Sequence, residues 1–239
     1  MTRLFTAFLF LILALKCVGQ DRVEYTSDFT FKDGVYLSFQ DFKNNNPIPL
    51  THINSDFDIR NPNYLTRVLE QDTVYYYDNL YEERSVLADD LWGFSSQGRV
   101  QIAHNLVWSK KKIIKDIVFV PLNTIGKVCF YAAEQYVYRS LLDSPEIGMF
   151  SDPYYTDESY TRERVPVFML VEFETGDLIL SSQSIVSDFV TETVYRLLES
   201  DESLLREFAS LPMKQQRKQA MFFLKRYNER NPIFFPTSN

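Results

Sequence analysis

The chain has 239 residues, 45% of them hydrophobic and 24% charged, with a formal net charge of -7. This composition excludes long disorder and collagen-like repeats, and a chain of this size can bury a core without a disulfide or a metal. The acidic balance, without a large basic stripe, excludes a phosphate-binding groove for nucleic acid.

Arg3 is followed by the apolar run Leu4 to Leu15, interrupted only by Thr6. The run is too short for a bilayer core, which needs about 20 residues, and Cys17-Val18-Gly19 offers small residues for cleavage. Residues 1–19 therefore read as a signal peptide cut before Gln20, leaving residues 20–239 as a single α+β domain, exported to the periplasm or the extracellular space. Lys16 stands where a lipoprotein signal needs a small residue, which argues against acylation of Cys17. Cleavage removes Arg3 and Lys16 and no acid, taking the charge from -7 to -9, and leaves Cys129 as the remaining thiol. Cys129 lies in the apolar stretch Val128 to Tyr131 and reads as a buried, inert thiol. No second apolar segment is long enough to span a membrane.

The mature chain opens on a polar segment to about Thr30, then Asp33-Gly34 signals a turn and Val35 to Leu37 a short strand. Ser38 and Asp41 form a capping-box pattern, with Phe39 and Phe42 on one face of the helix that follows; Asn44-Asn45-Asn46-Pro47 stops it. Asn61-Pro62 predicts a second helix through Glu70, with Asn61 as N-cap. Val86 to Phe94 and Val100 to Trp108, around Ser95 to Gly98, predict a hairpin. Period-two alternation places Val100, Ile102, Leu106 and Trp108 on one apolar face of the second run, which His104 shares. Ile113 to Val120 and Val128 to Tyr138 predict further strands, Ser151 to Arg164 a long loop, and Val165 to Leu180 a second hairpin around Glu174 to Asp177. The C-terminal part is helical. Its apolar stripes are Val186, Val190, Val194 and Leu197, widened by Phe189 and Leu198; then Leu204, Leu205, Phe208 and Leu211; then, after Pro212, Ala220, Phe223, Leu224 and Tyr227. The fold class is α+β: an antiparallel sheet or partly curled barrel, short N-terminal helices and a C-terminal helical segment.

Motifs for chemistry are sparse. The G-x-S-x-G, Walker, G-x-G-x-x-G and D-x-[DN]-x-[DN]-G patterns are absent. Two histidines and one mature cysteine cannot build a closed zinc site, and His52 and His104 carry no ligand spacing; His104 reads as a core histidine bonded to backbone or to a tyrosine. Paired carboxylates are the catalytic chemistry that the composition supplies, and Asp56 with Asp58 and Asp89 with Asp90 are the obvious pairs. The first pair would share one strand face, the second would point to opposite faces, and solvated faces or turn caps account for both. Tyr75-Tyr76-Tyr77 with Tyr81, and Tyr154-Tyr155 with Tyr160, lie near loops, where tyrosine can stack on sugars, anchor a protein interface or simply edge a strand. Trp92 and Trp108 read as sheet core, and Lys110-Lys111-Lys112 as a solvated loop.

The stretch Asp33 to Pro47, with its Gly34-Val35-Tyr36, Ser38-Phe39, Asp41-Phe42 and Asn45-Asn46-Pro47, resembles a recurrent opening in a family of exported, signal-peptide-bearing proteins of Bacteroidetes-type bacteria. Leu91-Trp92-Gly93-Phe94 followed by Gly98-Arg99-Val100 is similar to that group's tryptophan hairpin, and Tyr227 to Pro232 to its ending. The family has no established activity, so the resemblance implies export and single-domain organisation. The resulting expectation is a non-catalytic envelope protein that binds another protein or a surface component. The alternative is a carboxylate-dependent glycan hydrolase or a glycan-binding module. No catalytic residue, cofactor-binding residue, cofactor or metal ligand is assigned, and the expected partner is an envelope protein or glycan rather than nucleic acid.

Overall fold

Ser38 and Asp41 do what their spacing predicts. The Ser38 hydroxyl accepts from the Asp41 amide at 3.2 Å and the Asp41 carboxylate accepts from the Ser38 amide at 2.8 Å, opening helix α1 (Phe39–Lys43) directly after strand β2 (Gly34–Tyr36). These elements belong to a computed structural model in which residues 21–78, 80–106, 117–140 and 160–237 are described. The architecture is α+β, and the strand pairings among the described residues are antiparallel.

Before β2 comes β1 (Arg22–Glu24); after α1 come β3 (Ile48–Pro49), β4 (Ile53–Asn54), α2 (Tyr64–Leu69), β5 (Thr73–Tyr77) and β6 (Glu83–Leu87). The main sheet continues with β7 (Gly93–Ser96), β8 (Arg99–Asn105), β9 (Ile117–Thr124), β10 (Val128–Ser140), β11 (Tyr160–Glu172) and β12 (Leu178–Ser182). Helices α3 (Asp188–Leu198), α4 (Glu202–Ala209) and α5 (Met213–Arg230) and strand β13 (Phe234–Pro236) complete the chain. The main sheet has eight strands in the order β12-β11-β10-β9-β8-β7-β2-β3; β4-β5-β6 form a second sheet and β1-β13 a two-stranded ribbon.

One face of the main sheet wraps an aromatic core. Tyr36, Ile102, Tyr131, Val167 and Phe173 from its strands and strand ends meet Phe42, Phe31 and Phe235. Phe42 on α1 lies 6.2 Å, centroid to centroid, from Phe173 beyond β11, and the Lys43 ammonium bonds the Glu174 carboxylate at 2.7 Å. The two ends of the sheet thus approach each other around α1, but β3 and β12 remain unpaired edges: the sheet is curled, not closed into a barrel. On the opposite face, α3–α5 cover Val128 and Leu170, while α2 and the second sheet cover Val35 and Phe94. Gln216 of α5 ties the helices together, its amide nitrogen lying 2.8 Å from both the Tyr195 hydroxyl and the Leu211 carbonyl.

Several expectations are corrected. The run Val86 to Phe94 is not one strand: a 3-10 turn at Ala88–Asp90 sends β6 and β7 into different sheets. The hairpin itself stands, with Gln97 and Gly98 both at positive φ, 53° and 72°, the geometry that matches hairpin twist. The second helix begins at Tyr64, because the Asn61 side chain accepts from the Asn63 amide and forms a turn instead of capping. Of the strand expected over Ile113 to Val120, residues 113–116 lie outside the described residues, and the described part runs on to Thr124. Of the loop expected over Ser151 to Arg164, Tyr160 to Arg164 extends β11 against β10; residues 151–159 lie outside the described residues. On α3 the buried stripe is Val190, Val194 and Leu198, and Phe189 is 71% exposed. The polar opening segment contains β1, which pairs with β13, two strands that short polar-flanked runs did not announce.

Candidate functional site

The second sheet presents a bare outer face. Along β5, Val74 turns inward against α2 and Leu65, whereas Tyr75 and Tyr77 turn outward, 50% and 39% exposed. Cross-strand register sets Ser85 and Asn54 beside Tyr75, Glu83 beside Tyr77 and Leu87 beside Thr73. The Asn54 amide donates to the Glu83 carboxylate at 2.8 Å, which orients a polar pair against the rings.

The β5–β6 connection extends this face. The Asp78 carboxylate accepts from the Leu80 amide at 2.8 Å and the Glu82 amide at 3.0 Å, and Arg84 bonds it at 3.2 Å. Desolvation opposes ionisation of Asp78, but those amides and the guanidinium outweigh it and hold the carboxyl below its ordinary range. The turn so built carries Leu80 and Tyr81 outward, 76% and 79% exposed, with Tyr81 at φ 58°. A bulky residue in the left-handed region is conformationally costly, so the turn holds an aromatic in solvent against a local preference. His52, in the 3-10 turn Leu50–His52, places Nδ1 3.2 Å from the Tyr77 carbonyl and its ring 6.2 Å from that of Tyr81.

Leu87, on the same outer face, also borders a cleft of about 650 Å³ between the end of α2, the 3-10 turn and strands β7–β9. Leu69, Phe94 and Phe119 contribute apolar surface to it, and Glu70, Asp72 and Asp89 carboxylates.

The residues singled out from the sequence fall as follows. Asp56 and Asp58 lie in irregular chain between β4 and α2, not on a strand; both are exposed, and Asp58 accepts from the Arg60 amide at 2.9 Å as a turn former. Asp89 and Asp90 lie on the 3-10 turn rather than on a strand. His104 is buried in β8 with its ring 5.8 Å from Tyr131; burial lowers its pKa, opposed by a backbone hydrogen bond at Glu134. Among the described residues no group of three His, Cys, Asp or Glu side chains is gathered as a metal would need. Cys129 is buried, and desolvation pushes its thiol up to about 11. Trp92 stacks on Phe42 at 4.6 Å within the aromatic core. Trp108, Lys110 to Lys112, Tyr154 and Tyr155 lie outside the described residues, and Tyr160 enters as the first residue of β11. The tyrosine run was visible in sequence; Glu70, Asp72 and the role of Asp78 were not, because isolated acids carry no spacing signal. Among the described residues no helix is long and apolar enough to cross a membrane. Comparison with family models, with curated proteins and with solved structures found no match.

Proposed function

We propose that this chain is an exported, non-catalytic envelope protein, periplasmic or secreted, that binds another protein through the outer face of its three-stranded sheet. The observation that carries the reading is the outward pair Tyr75 and Tyr77, continued by Leu80 and Tyr81 on a turn that Asp78 braces. Large amphipathic rings on a rigid strand lose little conformational freedom on binding, which is why tyrosine anchors interfaces. Export rests on the leader of residues 1–19 and on the resemblance to exported Bacteroidetes-type proteins. The non-catalytic reading is supported by the sparseness of catalytic motifs in the sequence and by the setting of its acid pairs, Asp56 and Asp58 exposed in irregular chain and Asp89 and Asp90 on a 3-10 turn. A glycan-binding module is the second reading, favoured by the Asn54–Glu83 pair beside the rings.

The test compares residues 20–239 with the Tyr75→Ser/Tyr77→Ser double variant in capture from envelope extract and on a glycan array. The expected result is a protein retained by the parent and lost by the variant, with the urea midpoint unchanged. A glycan signal lost in the variant transfers the site to the second reading. Equal retention by both proteins removes the tyrosine face from function.

A further inference from the structure

Many acids of the fold are paired with cations: Glu174 with Lys43 and Lys127, Asp188 with Arg217, Asp201 with Arg230, Glu207 with Arg226 and Asp78 with Arg84. Glu70, Asp72 and Asp89 are all exposed, and among the described residues none has a cationic partner. Among the described residues the lining of the cleft holds these three acids and neither lysine nor arginine, a charge balance that attracts cations.

The walls add a second requirement. Leu69, Ala88 and Phe94 are core residues that reach the cleft, and Ile117, Val118 and Phe119 of β9 are left half-covered although β9 is an interior strand of the main sheet. The volume, about 650 Å³, lies in the range of roughly 300–1,000 Å³ typical of ligand sites. Among the described residues no three His, Cys, Asp or Glu side chains are gathered as a metal ion would need.

We propose that this cleft binds an alkylammonium or guanidinium group carried on an apolar body, the head drawn to the side lined by Glu70, Asp72 and Asp89 and the body on Leu69, Phe94 and Phe119. The inference rests on the reading of the chain as a binding protein, and not on the tyrosine face. The same chemistry comes from a free amine or from a lysine or arginine side chain of a partner flanked by apolar residues.

The test is calorimetric titration of residues 20–239 with phenethylamine, with its neutral counterpart 2-phenylethanol and with the peptide acetyl-Leu-Arg-Leu-amide. The expected result is saturable binding of a cationic probe and not of the alcohol. Affinity should fall at least about tenfold in Glu70→Gln/Asp72→Asn/Asp89→Asn, since removing the charges facing a bound cation costs that much or more. Those side chains are exposed, so the urea midpoint of the variant should match the parent. Preference for the peptide assigns the head to a partner's side chain, preference for phenethylamine to a free amine, and either outcome supports the site. Equal binding of the alcohol, no binding of either cation, or an unchanged affinity in the triple variant overturns it. Tyr75→Ser/Tyr77→Ser should leave this titration unchanged, which separates its failure from that of the tyrosine face.

Discussion

Asn228 does the work of a missing strand. Its side-chain oxygen accepts from the Val128 amide at 2.9 Å and its nitrogen donates to the Val128 carbonyl at 2.8 Å. β9 reaches β10 only from Phe130 onward, so without Asn228 the first residue of β10 would have no partner on that side. A side chain at Gly126 would sit 2.6 Å from the Asn228 amide carbon, which explains the bare glycine there. Asn228→Ala leaves a partly buried amide and carbonyl unpaired and should cost about 1–3 kcal/mol. A urea midpoint lowered at constant slope checks it, and Asn228→Asp, which keeps only the acceptor, should fall between. In the sequence Asn228 was merely part of a helix ending, because its partner lies 100 residues away.

At the scale of elements, helix termini and hairpin turns were the most legible features. Asp201 caps α4 through the Leu204 amide at 3.1 Å and also receives Arg230 of α5 at 3.1 Å. The Leu204 amide, with Arg230 and against desolvation, holds the Asp201 carboxyl below its ordinary range; Arg226 does the same for Glu207. A carboxyl depressed by folding binds its proton more readily in the unfolded chain. Its stabilisation is therefore complete above the ordinary carboxylate pKa of about 4 and is lost as pH falls through the folded value. The buried His104, also lowered, adds a separate limb beginning near 6.5, where the unfolded chain starts to take up its proton. Urea midpoints measured as a function of pH should show both limbs. Asp201→Asn, which still caps, should shrink the lower limb, and His104→Gln should flatten the upper one. Elements were misread where a local signal had two outcomes. Asn61 either caps a helix or turns the chain, and an apolar run such as Val86 to Phe94 does not reveal the 3-10 turn that divides it.

The whole molecule is held by its ends. β13 pairs with β1, and Phe235, fully buried, packs 5.1 Å from Phe31, 5.7 Å from Phe42 and 5.3 Å from Phe173. This joins the first and last strands described to the helix after β2 and to the turn after β11, so the curl of the sheet depends on a residue near the C-terminus. Phe235→Ala should cost about 3–5 kcal/mol, the range for emptying a buried aromatic site. Thermal unfolding checks it: a shift as small as that of an exposed substitution would mean that the ribbon is not part of the cooperative unit.

By itself the sequence determined the α+β class, the capping box of α1, the two hairpins, the buried faces of α4 and α5, the buried Cys129 and His104, and the tyrosine run of β5. Each depends on neighbours within a turn of helix or a two-residue strand period. Only the tertiary structure decided the strand order, the open curl, the terminal ribbon, which tyrosines face outward, and the meeting of Glu70, Asp72 and Asp89 around one cleft. Those features join residues far apart in the chain, and composition and periodicity carry no information about which distant segments pay the loop-closure entropy to meet.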